Sequence, residues 1–290
     1  MIERIIIQTL VTGGAYALLA IGFSLIFGNA RVINMAHTGF FMLAAYGLWY
    51  FMRRLGIDAV WAILITLPAV TLLGILCYRF LINPIREHLA AVLLMTVAIV
   101  MVFQEAMTAI FSSLYWAIPP LIPGFTEIFG VRVLDQHLLT LGIAVVSIVI
   151  VWLILAKTKL GIALRATAQD AEVANLMGIS VPRTLMITMG LATGLAAIAA
   201  LAVAPIWTIF PGMWSTPLVM VLVIVVLGGL GSIKGSIIGA FIIALVQNLL
   251  VTFIPSYAYL EVVVAILAMV IVLIVRPGGL FGILFEEERL

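Results

Sequence analysis

Charge is scarce in this sequence. Asp, Glu, Lys and Arg make up 9% of its 290 residues, where an average soluble domain carries roughly 25%. With hydrophobic residues at 66%, no water-soluble core of this size could enclose so much apolar surface, so lipid must be the solvent. The net charge of +2 is too small and too scattered to bind nucleic acid. There is one cysteine, Cys77, which excludes an internal disulfide and a multi-cysteine metal cluster. It sits in an apolar run, where a small buried hydrophobe is its expected role. The histidines, His37, His88 and His137, lie in different segments without metal-ligand spacing. No nucleophile–base pattern of a hydrolase is present, so an enzyme is not indicated.

Long apolar runs are what the sequence does have. They fall at roughly 5–27, 38–52, 59–81, 91–111, 137–156, 184–206, 218–231, 236–253 and 260–275, most of them near the roughly 20 residues that cross a bilayer as a helix. The first run has no small-residue cleavage site and is longer than a signal-peptide core, so it is expected to be a retained membrane helix. Two runs are short: 38–52 follows the Gly-, Asn- and His-interrupted GNARVINMAHTG, and 218–231 ends in GGLGSIKGS. Broken helices persist at membrane depth only where protein or a water-filled cavity surrounds the freed backbone groups. Ordinary helices with tight turns are the alternative. The expected fold is all-α: a polytopic transmembrane bundle of about 8 spans plus a broken or re-entrant segment, one permease domain over 1–290.

The long polar interval near the middle is 157–183, KTKLGIALRATAQDAEVANLMGISVPR. Asp170 can cap a short helix, and Gly178 can end it in a left-handed conformation. Ser180 and Pro182 read as cap and early-turn residue of the next membrane helix. Between them, Val173, Leu176 and Met177 lie at i, i+3 and i+4, an apolar stripe fit to enter a groove on another protein. A helix resting among lipid headgroups is the simpler alternative.

Lys and Arg counts orient the chain. With 157–183 cytoplasmic and 38–52 not crossing, Arg4, Arg79, Arg86, Lys157, Lys159, Arg165, Arg183, Lys234, Arg276 and Arg289 lie inside, against Arg31, Arg53, Arg54 and Arg132 outside. If 38–52 crosses, Arg31 replaces Arg4 and the balance is the same. The favoured arrangement has eight crossings and both termini inside. The outer loop 112–136, rich in Pro and aromatics, is expected to be structured, with Tyr115 and Trp116 at the membrane interface.

The glycine-rich run 228–236 lacks the Gly-Lys-Ser/Thr order of a phosphate loop. Gly231, Gly235 and Gly239 recur every four residues, and Gly190 with Gly194 repeats the spacing, which on a helix makes a narrow groove for close packing. Ionisable groups within a span are costly and usually functional; Glu105, beside Gln104, is the candidate. Asn34, His37, Glu105 and Asn248 are the possible pathway residues, with Gln247 and Glu261 near the outer helix ends. So sparse a polar set suits a small neutral or zwitterionic solute better than a bare ion.

Four stretches carry a family resemblance: GGAYALLAIGFSLIFGNARVINMAHTGFFMLAAY, LGIALRATAQDAEVANLMGIS, VLGGLGSIKGSIIGAFIIALVQNL and RPGGLFG. Together they make the chain resemble permeases of the branched-chain amino-acid ABC transporter family, the high-affinity leucine/isoleucine/valine uptake type. In ABC importers an E-A-A-x-x-x-G loop docks on the ATPase. Here it reads Glu172-Val173-Ala174-Asn175-Leu176-Met177-Gly178, departing at Val173, with Asp170 and Ala171 just before it. The resemblance implies a multi-pass permease of a prokaryotic cytoplasmic membrane, paired with a second homologous permease. Two cytoplasmic ATPase subunits would carry ATP and magnesium, with no cofactor on this chain, and an extracytoplasmic binding protein would deliver the solute. A stand-alone secondary transporter or channel is the alternative; it requires pathway ionisable groups that the sequence barely offers.

Overall fold

The computed structural model describes residues 2–128 and 130–281. Eleven α-helices follow in chain order: α1 (Ile2–Ala30), α2 (His37–Trp49), α3 (Ala59–Cys77), α4 (Leu89–Phe111), α5 (Asp135–Lys157), α6 (Lys159–Gln169), α7 (Ala171–Leu176), α8 (Val181–Val203), α9 (Ser215–Gly228), α10 (Ile233–Phe253) and α11 (Glu261–Val275). Seven helical stretches among the described residues are long and apolar enough to cross a membrane. This is the expected all-α polytopic bundle. A small antiparallel hairpin, β1 (Phe125–Ile128) with β2 (Val131–Leu134), interrupts it in the outer loop.

α1 forms the axis of the bundle. Its Gly/Ala/Ser-rich middle, from Gly13 to Ile26, is buried nearly throughout, because small side chains let neighbouring backbones approach. α10 runs antiparallel beside it: Gly13 lies against Phe241, the Ser24 and Ser236 hydroxyls share a 2.8 Å hydrogen bond, and Gly28 meets Gly231. The Ala-rich α8 packs on its other flank, while α4, α5 and α11 turn most of their apolar side chains outward.

These contacts decide the N-terminal orientation that charge leaves open. Arg4 and Gln8 line a cavity with Arg132, His137 and Thr252, so α1 starts on the hairpin face. The other end of α1 lies with Arg86 and Ala171 on the face of the polar loop. α2 returns to the hairpin face, where Trp49 packs on Trp116 at 4.4 Å between ring centroids. It gains the length to do so by continuing as a π-helix through Tyr50–Arg54. Segment 38–52 therefore crosses, and α1 begins on the face opposite the one where α11 ends, which replaces the arrangement expected with 38–52 not crossing. One face, the basic face, carries Arg31, Arg79, Arg86, Lys157, Lys159, Arg165, Arg183, Lys234 and Arg276; Arg289 lies outside the described residues. α9, only 14 residues long, also runs between the faces, from Trp214 near Gln104 to a turn at Gly229 and Gly231.

Candidate functional site

On the basic face, α5 ends in a sharp bend. Thr158 accepts a hydrogen bond from the Gly161 amide at 3.1 Å and starts α6. A Cβ at Gly161 would overlap the Leu155 carbonyl oxygen, so only glycine lets α6 fold back this closely. Arg165 also donates to that carbonyl.

α7 follows α6 directly, and both of its ends are fixed. The Asp170 carboxylate accepts from the amides of Glu172 at 2.9 Å and Val173 at 3.0 Å, satisfying donors that the helix start leaves without partners. At the other end Gly178 has φ +86°; its amide donates to Asn175 and the Ile179 amide to Ala174, both at 3.0 Å. This is the glycine-terminated helix stop that a left-handed residue makes possible. Ser180 occupies the N-cap position of α8 without a side-chain cap bond, and Pro182 lies in the first turn. Ala174 is buried against the bundle, but Val173, Leu176 and Met177 are 52%, 80% and 79% exposed. Glu172 is exposed on the same short helix. The result is a rigid, apolar knob held off the basic face. Replacing Asp170 by Ala should make the Glu172 and Val173 amides exchange with solvent about fivefold faster, from the loss of roughly 1 kcal/mol of capping; hydrogen-exchange mass spectrometry reads this directly.

The glycines lie at helix contacts. Gly190 faces Ile75 and Gly194 faces Thr71, where α8 crosses α3. Gly235 and Gly239 meet the backbone of α9 at Gly228 and Ile224. Gly231 does not extend that helical stripe: α10 begins at Ile233, and Gly231 sits before it with φ +80°, against the Cα of Gly28. Glycine spacing alone could not tell a helical groove from a turn that needs positive φ.

Asn34, His37, Glu105 and Asn248 are not brought together. Asn34 shapes the start of α2, accepting from the Ala36 amide at 3.0 Å, and lines a cavity on the basic face. His37 is fully buried, and its Nε2 donates to the Leu19 carbonyl at 3.0 Å. Gly22 makes room for that ring, since a Cβ there would lie 2.9 Å from it. Glu105 is exposed on α4, while its neighbour Gln104 accepts from the Trp214 indole at 2.7 Å. Only Asn248 faces a cavity on the hairpin face.

That cavity, about 460 Å³, lies between α1, the 204–214 connection, α10 and α11. Gln247, Asn248, Glu261, Thr12 and Tyr16 supply its polar lining, and Trp207, Phe210 and Met213 an apolar side. The Gln247 amide oxygen is buried without a partner. An acid, two amides and an aromatic wall make the cavity polar on one side and apolar on the other. Thr12, Tyr16 and Trp207 are the members that sequence reasoning misses, because isolated polar or aromatic residues in apolar runs carry no signal until helix packing aligns them.

Comparison with known proteins agrees with this architecture. A chain of PsaBC from Streptococcus pneumoniae, in complex with Fab, shares the fold with a TM-score of 0.52 at 16% identity, over 93% of this chain and 95% of that one. The high-affinity branched-chain amino acid transport system permease protein BraD of Pseudomonas aeruginosa is 27% identical over 96% of this chain and 94% of its own length. LivH of Escherichia coli, which bears the same descriptive title, is 25% identical, with 93% and 92% covered. A probable branched-chain amino acid transport permease protein, LivH of Methanocaldococcus jannaschii, is 26% identical over 99% and 95%. The family model described as the permease component of the branched-chain amino acid transport system matches residues 5–273. From its first helix to its last, then, this multi-pass membrane chain belongs to the branched-chain amino-acid transport permease family.

Proposed function

We propose that the whole chain is one permease domain of an ATP-driven importer. It acts in a prokaryotic cytoplasmic membrane with a second related permease, two cytoplasmic ATPase subunits and an extracytoplasmic solute-binding protein. The chain itself holds no cofactor; ATP and magnesium act on the ATPases. The observation that carries this reading is the knob of α7. Two large apolar side chains, each about four-fifths exposed, sit on a helix locked at both ends and projecting from the basic face. A surface of that kind fits a groove on a soluble partner. The excess of Lys and Arg makes that face cytoplasmic, which is where an ATPase would be.

In this reading ATP-driven closure of the ATPases moves α7. The short, bonded connections on either side pass the motion to α5, through α6, and to α8. α8 packs on α1, α2 and α3, so its displacement reaches the walls of the hairpin-face cavity. The solute is a small zwitterion, with branched-chain amino acids the first candidates: Glu261 and the unpartnered Gln247 oxygen meet the ammonium group, and the Thr12 hydroxyl and Asn248 amide the carboxylate. Glu105 is exposed on the outer half of α4, at a depth where a lone acid is expensive in lipid. The second permease subunit or a water-filled path between the two would relieve that cost.

Purification from the native membrane should bring down an ATPase with the wild-type chain. Leu176→Asp combined with Met177→Asp should lose it while the permease remains at normal level. Copurification unchanged by the double substitution would refute α7 as the contact, and a wild-type chain that brings down no ATPase would favour a stand-alone transporter.

A further inference from the structure

Beneath α7 lies a second cavity, about 250 Å³, that the transport reading does not use. It opens on the basic face between the end of α1, the bend after α3, α4 and α8. Ala171 and Val181, the first residues of α7 and α8, form part of its wall. Val32, Ile82, Val92, Leu185 and Met189 line it with apolar surface. Its polar members are Asn29, Asn34, Tyr78, Arg86, Glu87 and Thr96.

Three of these hold atoms that the protein does not satisfy. Asn29 Oδ1 is buried without a hydrogen-bond partner, and the Tyr78 hydroxyl and Arg86 Nη1 are buried side by side with no well-formed bond to satisfy either. Tyr78 is only 6% exposed, and Arg86 is close enough for its charge to act on the Tyr78 hydroxyl. Buried polar atoms left unpaired are costly, and a native fold rarely keeps several around one cavity. Arg86 and Tyr78 are donors that together suit a carboxylate. Asn29 Oδ1 and the Glu87 carboxylate are acceptors that suit an ammonium group. The apolar wall is left for a short aliphatic side chain, and the volume lies below the roughly 300–1,000 Å³ of drug-sized ligand sites.

We infer that this cavity binds a small aliphatic amino acid arriving from the cytoplasm, and that its occupancy restrains α7. A ligand there joins the α3 bend and α4 to both ends of the 171–181 segment, so a filled cavity slows the cycle when internal solute is plentiful. The second half of the inference rests on the reading of α7 as the ATPase contact; the binding itself does not. A zwitterionic lipid headgroup presents similar charges, and the test separates the two.

The full chain, embedded in phosphatidylcholine nanodiscs, should bind radiolabelled L-leucine saturably in a scintillation proximity assay. Arg86→Gln should weaken binding at least about tenfold, the loss expected for a charge-assisted bond. Tyr78→Phe, which keeps the ring, should weaken it a fewfold and serves if Arg86→Gln fails to fold. Gly142→Ala, in open surroundings, should bind as wild type. Replacing phosphatidylcholine by phosphatidylethanolamine should leave leucine binding unchanged. The inference is overturned by absent saturable binding, by displacement by the ethanolamine headgroup, or by binding that survives Arg86→Gln and Tyr78→Phe but is lost in Asn248→Leu. Because α7 copurification is scored separately, failure of the site and failure of the coupling reading are distinguishable.

Discussion

Gly178→Pro is expected to abolish solute uptake while the protein still reaches the membrane in normal amount. Proline fixes φ near −65°, whereas this position has φ +86°. It also removes the amide that donates to Asn175. The α7 stop must then unwind or swing away, and with it Leu176 and Met177. No apolar membrane helix contains residue 178, so insertion has no reason to fail. Glu172→Lys acts on the same element by another route: a positive charge in the first turn opposes the helix dipole and alters the polar edge of the knob. Whole-cell uptake of labelled leucine, set against membrane content by immunoblot, reads both variants. Uncoupling would show as ATP hydrolysis that continues in the reconstituted complex without transport. Uptake at the wild-type level in either variant would refute the role given to α7.

A second large effect is expected at Gly235, buried between α9 and α10. A Cβ there would overlap the Gly228 carbonyl oxygen, which is backbone and cannot rotate away. Gly228 also accepts from the Phe281 amide, and Leu227 from Leu280, so the same turn anchors the stretch after α11. Gly235→Ala should therefore force α9 and α10 apart and destabilise the bundle by about 1–3 kcal/mol or more, the range for overpacking. Gly142→Ala is the matched comparison, since nothing lies within 4 Å of its added Cβ. In thermal unfolding in detergent, Gly235→Ala should melt clearly below wild type and Gly142→Ala at or above it. Equal melting of the two would mean that the α9–α10 contact yields more easily than its geometry implies.

The bundle was legible in the sequence because lipid imposes a length and a polarity on each crossing, and the apolar runs obey both. α7 was legible for a related reason: Asp170 and Gly178 are residues whose backbone chemistry marks a helix start and a stop. The N-terminal orientation was not legible, since exchanging Arg4 for Arg31 leaves the charge balance unchanged. It took the antiparallel contact of α1 with α10 to decide it. The crossing of α2 was obscured because its π-helical end, which contains Arg53 and Arg54, reads as a loop. The site fared worst. Asn34, His37, Glu105 and Asn248 were equivalent as isolated polar residues in apolar surroundings, yet a turn, an interhelical bond, an outward helix face and a cavity wall proved to be their separate places. Sequence position does not report which way a membrane helix faces when every face is apolar.

The burial of α1 has a consequence for synthesis. This helix is made before α8 and α10, the companions it packs on most, which follow only after much of the described chain has been made. In its most apolar stretch 83% of residues end up enclosed by protein, so until then its Gly/Ala/Ser surface must rest against lipid or the insertion machinery. Contacts so distant along the chain form slowly. A nascent chain halted before α10 would leave one flank of α1 uncovered, with Ser24 lacking its Ser236 partner. Enclosure of this helix therefore waits on segments made long after it.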